Sequence, residues 1–381
     1  MIDILLFLVA INFFHYGQLL LPIICLILFL DNKLKFKVNN LKTFILLCLF
    51  GITFFVFSYK LGFFSVMGFC LPMAYYIGSN IKNPNEENIK KIIYIFAFGM
   101  ITHVLLNMGY TYVVLGNDML TTQGHYDIWL GTKVADTATA VNYVFIIGMI
   151  YYSIFYEKCK TLKLITALLF IVALIYDMFL GRRTPILMFI LSFGLVMIID
   201  FVFFHVSKKN IIKILVLFIT VVVLACLLLY VYCKCLDTRG RMLVNYSALI
   251  NKFKKEGLSS GRLEVFIESI KLAPSYLWGG QKISEIINIR PHDLLMDIYD
   301  YAGIIPFILM FIYLINIINV FRKALKKKEF TNEIKVLVIS LFLTITMQFC
   351  LEPIMTGSSN FLMIVIIFAA VIENGVLNER K

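Results

Sequence analysis

Residues 303–321 read GIIPFILMFIYLINIINVF, a run without a single charged side chain. A helix of about 20 such residues spans the hydrocarbon core of a bilayer, which is roughly 30 Å thick. Comparable runs recur along nearly the whole chain, which is 61% hydrophobic and 15% charged and has a mean hydropathy of +0.89. Because backbone groups in hydrocarbon must be hydrogen-bonded within their own segment, the sequence predicts an all-α polytopic integral membrane protein.

These runs predict about 11 transmembrane helices, within a range of roughly 10 to 12. They lie at 16–30, 43–59, 61–81, 92–114, 135–156, 163–180, 185–205, 211–232, 303–321, 335–355 and 359–374. Residues 1–14 are also apolar and fit an interfacial or re-entrant piece, the start of a long tilted helix or a short further span, with a break at 15–17. We expect them in the mature protein, because they lack the basic start and cleavage site of a signal peptide.

The positions of Lys and Arg predict the orientation. They are concentrated in every second interval, at 31–42, 82–91, 157–163, 207–213, 322–335 and after 374. The alternate short intervals contain only Lys60, Lys133, Arg182 and Arg183. Since positive charge marks cytoplasmic loops, we expect the first set on the cytoplasmic side of the membrane and 115–134, 181–184, 233–302 and 356–358 outside.

This orientation divides the chain into three parts. Residues 1–232 would form the first part of the transmembrane bundle, and 233–302 a large extracytoplasmic loop with short helices. Residues 303–381 would form the last transmembrane helices and a short cytoplasmic tail. The net charge of +12 follows mostly from this topology and from attraction to lipid headgroups. Nucleic-acid binding is not expected, because the basic residues are spread over separate loops.

The second half of the long loop predicts two short helices. Ser260 can cap the first, Pro274 can end it, and Gly279–Gly280 can form the turn that follows. Its apolar stripe comprises Leu263, Phe266, Ile267 and Ile270. Pro291 can start the second helix. The apolar side of that helix comprises Leu294, Leu295, Ile298 and Ala302.

The two predicted helix starts present Arg262 and His292, a guanidinium and an imidazole that suit a phosphorylated substrate. Arg262 could instead pair on a surface with Glu264 or Glu268. A helix start lowers the pKa of an imidazole and favours the neutral base, although a histidine in this position is more often only a cap.

Arg182 and Arg183 lie in a tight outer turn, against the expected charge bias. They could clamp an anionic group bidentately, reach lipid headgroups or pair with Asp177. Glu352 lies at the outer end of a span, on the same side of the membrane as these arginines, and it could orient or contact a substrate.

Further acidic and aromatic residues have several readings. Asp293, Asp297 and Asp300 share one helix face and could hold a divalent cation, orient His292, pair with the arginines or form a solvated acidic face, which is the more common case. His103, beside Asn107, is expected to be a hydrogen-bonded core residue. In the outer loop, His125, Asp127 and Trp129 could contact a sugar. Trp129 is equally suited to anchor the chain at the membrane interface.

In layout and in three motifs, the chain resembles the O-antigen ligase and O-antigen polymerase (Wzy-like) superfamily of bacterial polysaccharide assembly. The motifs are Gly181–Pro185 with its arginines, Ser260–Leu263 followed by Trp278–Gly280, and Pro291–Leu295 continuing to Gly303. Two positions depart from that family's pattern: Asp293, where it usually has Asn, Ser or Gln, and Pro306, where it has a small residue or Tyr.

The resemblance implies an inverting glycosyltransferase that moves a glycan from undecaprenyl diphosphate to a sugar hydroxyl at the outer face of the membrane. In it, Arg183 and Arg262, with Arg182 beside them, would stabilise the diphosphate, and His292 would be the general base. It implies no metal or other cofactor. Partners would be the lipid-linked oligosaccharide, the bilayer, and a flippase and chain-length regulator of the same pathway.

The local motifs leave the acceptor open. The chain is rich in Ile, Lys, Phe and Asn, as in AT-rich genomes of single-membrane bacteria, and this favours a repeat-unit polymerase for capsule or exopolysaccharide over a ligase. The alternatives from other classes are a flippase for lipid-linked oligosaccharide, which would place charges at mid-membrane, and a scaffold of an export complex.

Overall fold

The computed structural model describes the chain at 1–60, 63–82, 84–116, 125–134, 141–179, 184–204 and 261–377. Within these ranges the protein is a bundle of helices with one short antiparallel ribbon, in which His125 pairs with Val134 and Tyr126 with Lys133. The all-α class predicted from the sequence is therefore confirmed. The predicted span at 211–232 and the first part of the long loop lie outside the described residues.

In chain order the helices are α1 (Ile2–Ala10), α2 (Leu20–Asp31), α3 (Leu41–Phe57), α4 (Phe63–Met67), α5 (Cys70–Ser79), α6 (Glu86–Leu115), α7 (Val144–Phe155), α8 (Lys160–Phe179), α9 (Thr184–Phe204), α10 (Arg262–Leu272), α11 (Lys282–Ile287), α12 (Leu294–Ala302), α13 (Ile304–Lys326), α14 (Asn332–Leu351), α15 (Ile354–Gly357) and α16 (Ser359–Leu377). Short 3₁₀ turns lie at Phe13–His15, Gly17–Leu19, Val141–Tyr143 and Ala273–Ser275.

Five helices in the described part of the chain are long and apolar enough to cross a membrane: α6, α9, α13, α14 and α16. Shorter apolar segments lie at Gly17–Asp31, Leu41–Phe57 and Val141–Phe155. Many large apolar side chains on the outer helices are exposed, as on α9, where Phe203 is 69% exposed. A membrane-embedded bundle accounts for these exposed side chains, whereas the count of eleven spans stays a prediction.

The first 31 residues form a hairpin of two short helices. Asp3 forms an ion pair with Lys91 and Asp31 with Lys82, so the start of α1 and the end of α2 lie at the same end of the bundle. The bend between them contains residues in the left-handed region, with φ 50° at Asn12, 51° at Phe14 and 63° at His15. Residues 1–14 are thus a separate helix and a bend, and the break predicted at 15–17 is present.

Hydrogen bonds define the two ends of the bundle. Thr331 donates to Glu86, and the Lys327 ammonium donates to the Gly375 carbonyl. The starts of α6 and α14 and the ends of α13 and α16 therefore meet at one end, which we call the Glu86 end. The opposite end, where α14 finishes, is the Glu352 end.

α16 occupies the centre of the bundle. Its residues 361–372 are all buried, and it packs against α5, α6 and α13. Contact with α5 is close because Gly78 has no side chain: a Cβ there would lie 2.4 Å from the Ile367 carbonyl oxygen and 2.6 Å from the Ala370 Cβ. This contact fixes α16, which begins near the Glu352 end, closely against α5.

We expect Gly78→Ala to destabilise the protein by about 1–3 kcal/mol, because the added methyl overpacks the α5–α16 contact. The matched control is Gly109→Ala on α6, where a Cβ meets nothing within 4 Å. Alanine also favours a helix, so the control should equal or exceed the wild type in stability. The measurement is the thermal unfolding midpoint in detergent; equal midpoints for the two variants would contradict the packing.

Candidate functional site

Residues 261–303 form a layer of short helices over the Glu352 end. α10 starts at Arg262, and Gly261 before it has a non-helical φ of 75°. The helix ends at Leu272, before a turn that contains Pro274. Ser260, the predicted cap, lies outside the described residues. The predicted apolar stripe is exposed, with Leu263 57% exposed, while Val265 and Ser269 are buried instead.

Two glycines join this layer to the membrane helices. Gly279 and Gly303 have φ values of 72° and 82°, in the region that favours glycine. A Cβ on Gly279 would lie 2.6 Å from the Gly303 amide, and one on Gly303 would lie 2.6 Å from the Leu277 carbonyl. The Ile304 amide donates to that carbonyl at 2.9 Å. The predicted turn is therefore present, and it fixes the layer to the start of α13.

Asp293, and not Pro291, begins the second helix. The Asp293 Oδ1 accepts a hydrogen bond from the Met296 amide at 2.8 Å, which makes Asp293 the N-cap of α12. The prediction that Pro291 starts this helix was therefore wrong. The Asp293 carboxylate accepts a hydrogen bond from a free backbone amide of the first turn, and a proline side chain has no acceptor for such an amide. His292 precedes the helix, and the predicted buried side is confirmed, with Leu294, Ile298 and Ala302 each at most 1% exposed.

A buried carboxylate joins the two predicted functional residues. The Glu352 side chain is 4% exposed, and its Oε1 lies 2.9 Å from the Arg262 Nη2. Its Oε2 lies 4.0 Å from the His292 Nδ1. The Arg262 Nη1 also lies 3.4 Å from the Thr184 Oγ1. The start of α9, the start of α10, the residue before α12 and the end of α14 thus converge on one cluster, which we call the Glu352 cluster.

The environment of His292 favours its neutral form. Burial lowers the pKa of the imidazole below its ordinary value, and the nearby Arg262 charge lowers it further. The His292 Nδ1 is buried and has no hydrogen-bond partner among the described residues. A neutral imidazole with one nitrogen not committed to a strong bond can accept a proton from a substrate hydroxyl.

The three acids of α12 are buried, so the expectation of a solvated acidic face was wrong. Asp297 accepts hydrogen bonds from the Thr356 amide, at 2.9 Å, and from its hydroxyl. Asp300 accepts from the Ile283 amide at 3.0 Å and from the Ser284 hydroxyl. Both carboxylates fasten α12 to its neighbours, and in the described ranges no group of three His, Cys, Asp or Glu side chains is placed to hold a metal.

A cavity of about 570 Å³ opens beside the Glu352 cluster. Thr184, Arg262, His292 and Asp293 line its polar part. The rest is apolar and runs between α13 and α14, along Leu314, Ile317, Ile318, Phe342, Ile345 and Phe349. Such a cavity fits an amphipathic ligand that has an anionic head and a hydrocarbon chain.

The other predicted residues are distributed as follows. Arg182 and Arg183 lie outside the described residues, as does the Asp177 side chain, but Thr184, which directly follows Arg183, lines the cavity. Trp129 lies elsewhere, with its indole N–H 3.4 Å from the Ile11 carbonyl. Glu352, a minor candidate by sequence, is at the centre of the site.

Two features of the site were missed by the sequence analysis. The ion pair between Arg262 and Glu352 joins residues 90 positions apart, and the apolar cavity is formed by helices that read only as membrane spans. The expectation that Arg262 pairs with Glu264 or Glu268 has no counterpart in the ion pairs of the described residues. Comparison with protein families finds no family model that matches the chain, and no curated protein matches it.

The titration of Asp293 gives a test of this geometry. Burial raises the pKa of its carboxyl from 3.8 to about 6, and its Oδ2 has no hydrogen-bond partner among the described residues. The folded protein therefore holds this proton more tightly than the unfolded chain does. The stabilisation that comes from this tighter proton binding is complete below pH 3.8, and it is lost as the pH rises through about 6.

We expect Asp293→Asn to remove that decline and to make the protein at least as stable as the wild type at pH 7, because asparagine caps a helix equally well. Asp293→Ala, which loses the cap, should be destabilised by about 1 kcal/mol at pH 4. The measurement is the unfolding midpoint from pH 4 to 8. Parallel profiles for wild type and the asparagine variant would exclude an uncompensated buried carboxyl.

Proposed function

We propose that the protein is a membrane-embedded glycosyltransferase that polymerises polysaccharide repeat units from a polyprenyl-diphosphate donor. The single observation that carries this proposal is the apolar cavity that ends at Arg262 and His292. A lipid-linked diphosphate has the matching form, since its hydrocarbon chain suits the channel between α13 and α14 and its diphosphate suits the guanidinium.

In this proposal Arg262 stabilises the leaving group. As the bond between the anomeric carbon and the diphosphate oxygen breaks, negative charge grows on the diphosphate. A guanidinium held in place by Glu352 and Thr184 needs little reorganisation to meet that charge, so its attraction is stronger in the transition state than in the ground state. Arg182 and Arg183, adjacent to Thr184 in the chain, are proposed to bind the same diphosphate.

His292 acts as the general base on the acceptor. A hydroxyl oxygen of the acceptor sugar attacks the anomeric carbon from the side opposite the diphosphate, and its proton passes to the imidazole. Because the His292 Nδ1 is buried beside Glu352, 4.0 Å from its Oε2, the proposal assigns the uptake of the proton to Nε2. The product has an inverted anomeric centre, and the diphosphate leaves on its lipid.

We further propose a sidedness for this reaction. The basic intervals would be cytoplasmic, as would the C-terminus, and the Glu352 end would face outward from a bacterial plasma membrane, where a flippase delivers the substrate. A ligase that transfers the glycan to another acceptor shares this chemistry and is the alternative. A flippase is less well supported, because the charges of the Glu352 cluster lie at one end of the bundle and not at its middle.

Arg262→Ala should lower product formation by about 100- to 1,000-fold, as expected when one charge-stabilising donor is removed. The assay gives the purified protein, in nanodiscs, its lipid-diphosphate-linked repeat unit and resolves the products on a gel. Arg290→Ala is the matched control, because Arg290 is close in sequence to His292 yet exposed. Equal losses in both variants would refute a specific role for Arg262.

His292→Ala should lower the rate by about 100- to 10,000-fold, the range for loss of a general base. Because the pKa of His292 is lowered from 6.5, the wild-type rate should hold down to pH 6.5 and fall only below it. A rate that falls between pH 8 and 7 would assign the base to another group.

The products of the same assay distinguish the candidate functions. A ladder of products indicates a polymerase, single additions to a different acceptor indicate a ligase, and no product despite bound substrate favours a transporter or scaffold.

A further inference from the structure

A second cavity, of about 110 Å³, lies at the Glu352 end and takes no part in the proposed transfer. The bend between α1 and α2 contributes His15 and Gln18, and α6 contributes His103. The ribbon after α6 contributes Asp127, and the start of α16 contributes Asn360. Unlike the lining of the larger cavity beside the Glu352 cluster, the lining of this cavity is rich in imidazole and amide groups.

Asp127, the one carboxylate that the described part of the chain places in the lining, is fully committed to the protein. Asp127 Oδ1 accepts from the amides of Trp129, at 2.8 Å, and Leu130, at 3.0 Å. Its Oδ2 lies 3.1 Å from the His103 Nε2 and 3.4 Å from the Asn107 amide nitrogen. These contacts hold the pKa of Asp127 down to about 2 despite burial. The carboxylate therefore orders the cavity wall and is not available to bind a cation.

Two amide oxygens remain for a ligand. The Gln18 side chain is buried, with the residue 3% exposed, and its Oε1 has no hydrogen-bond partner among the described residues. The Asn360 Oδ1 is likewise without a partner in the described ranges, while the Asn360 amide nitrogen donates to the Val9 carbonyl at 2.9 Å. A buried acceptor left without a donor is unfavourable by about 1–3 kcal/mol, so a ligand hydroxyl that meets either oxygen after a side-chain rotation would be stabilised.

An aromatic cluster contacts the cavity lining through His103. The Trp129 ring lies 5.3 Å from that of Phe13 and 5.4 Å from that of Phe14, between ring centroids. Phe14 is 59% exposed. His103 stacks on the inner side of Trp129. Hydroxyl donors beside apolar C–H faces are the chemistry of a sugar, and among the described residues no Lys or Arg lines the cavity to attract an anion.

We propose that this cavity binds the hydroxyl-bearing edge of an uncharged sugar in the growing glycan, and that Phe14 and Trp129 stack on the sugar that follows. This inference rests on the proposed function and assigns that reaction an acceptor subsite. A volume of about 110 Å³ equals that of roughly four water molecules, which suits one ring edge and not a whole oligosaccharide.

The segment from Glu352 to Asn360 connects this subsite to the donor site. Glu352 contacts Arg262, Thr356 holds Asp297, and Asn360 lines the second cavity. Since the chain extends by at most about 3.6 Å per residue, the two sites are less than roughly 30 Å apart. An oligosaccharide of several sugars bound at the subsite could therefore reach His292 with its terminal hydroxyl.

Tryptophan fluorescence gives a direct test, because the chain has only two Trp residues. Trp278→Phe leaves Trp129 as the one reporter. This protein, in nanodiscs, is titrated with repeat-unit oligosaccharide cut from the polysaccharide of the source bacterium. We expect a saturable change in Trp129 emission, about tenfold weaker binding in Gln18→Met, and weaker binding in Phe14→Ala, which truncates a residue that is 59% exposed.

Trp129→Phe, which keeps Trp278, should show no saturable change. No saturation by the oligosaccharide, or an unchanged Kd in both Gln18→Met and Phe14→Ala, would overturn the subsite. The readout is independent of transfer, so His292→Ala should bind the oligosaccharide normally. Binding without any polymer product would refute the proposed function alone, whereas polymer product without this binding would refute the subsite alone.

Discussion

The arrangement of the Glu352 end depends on one buried carboxylate. An ionised carboxylate at 4% exposure is strongly unfavourable unless a cation and further donors compensate for the lost water. Arg262 provides that compensation, and in doing so it connects the first turn of α10 to the last turn of α14. His292 lies 4.0 Å from the other oxygen, so one carboxylate contacts both the arginine and the segment that holds the imidazole.

The neighbouring polar contacts have a different purpose. Asp297 and Asp300 are saturated by donors from α15 and α11, and they make α12 a fixed wall instead of a reactive surface. Rigidity of this kind is what a site needs if its charges are to be in place before the substrate arrives. Gly279 and Gly303 add to it, because their mutual contact leaves no room for a side chain between the loop layer and the membrane helices.

Sequence patterns that act over a few residues were predictable. The apolar runs, the end of α10 before Pro274 and the glycine turn all follow from local rules of helix and turn formation. Contacts between distant segments were not, because nothing near Arg262 indicates that Glu352 would be its partner. Burial could not be predicted either. The apolar stripe of α10 is exposed, and the acids on α12 are buried. A periodic pattern shows which side chains share a face, but it does not show what covers that face.

The exposed apolar side of α10 has a consequence for how a lipid substrate would approach. With Ile267 and Ile270 exposed and Arg262 in the same helix, α10 is suited to lie along the boundary between headgroups and acyl chains. Phosphates of membrane lipids occupy that depth. A polyprenyl diphosphate could then slide sideways into the groove between α13 and α14 with its chain still in hydrocarbon, which avoids about 0.8 kcal/mol for every methylene that extraction into water would expose.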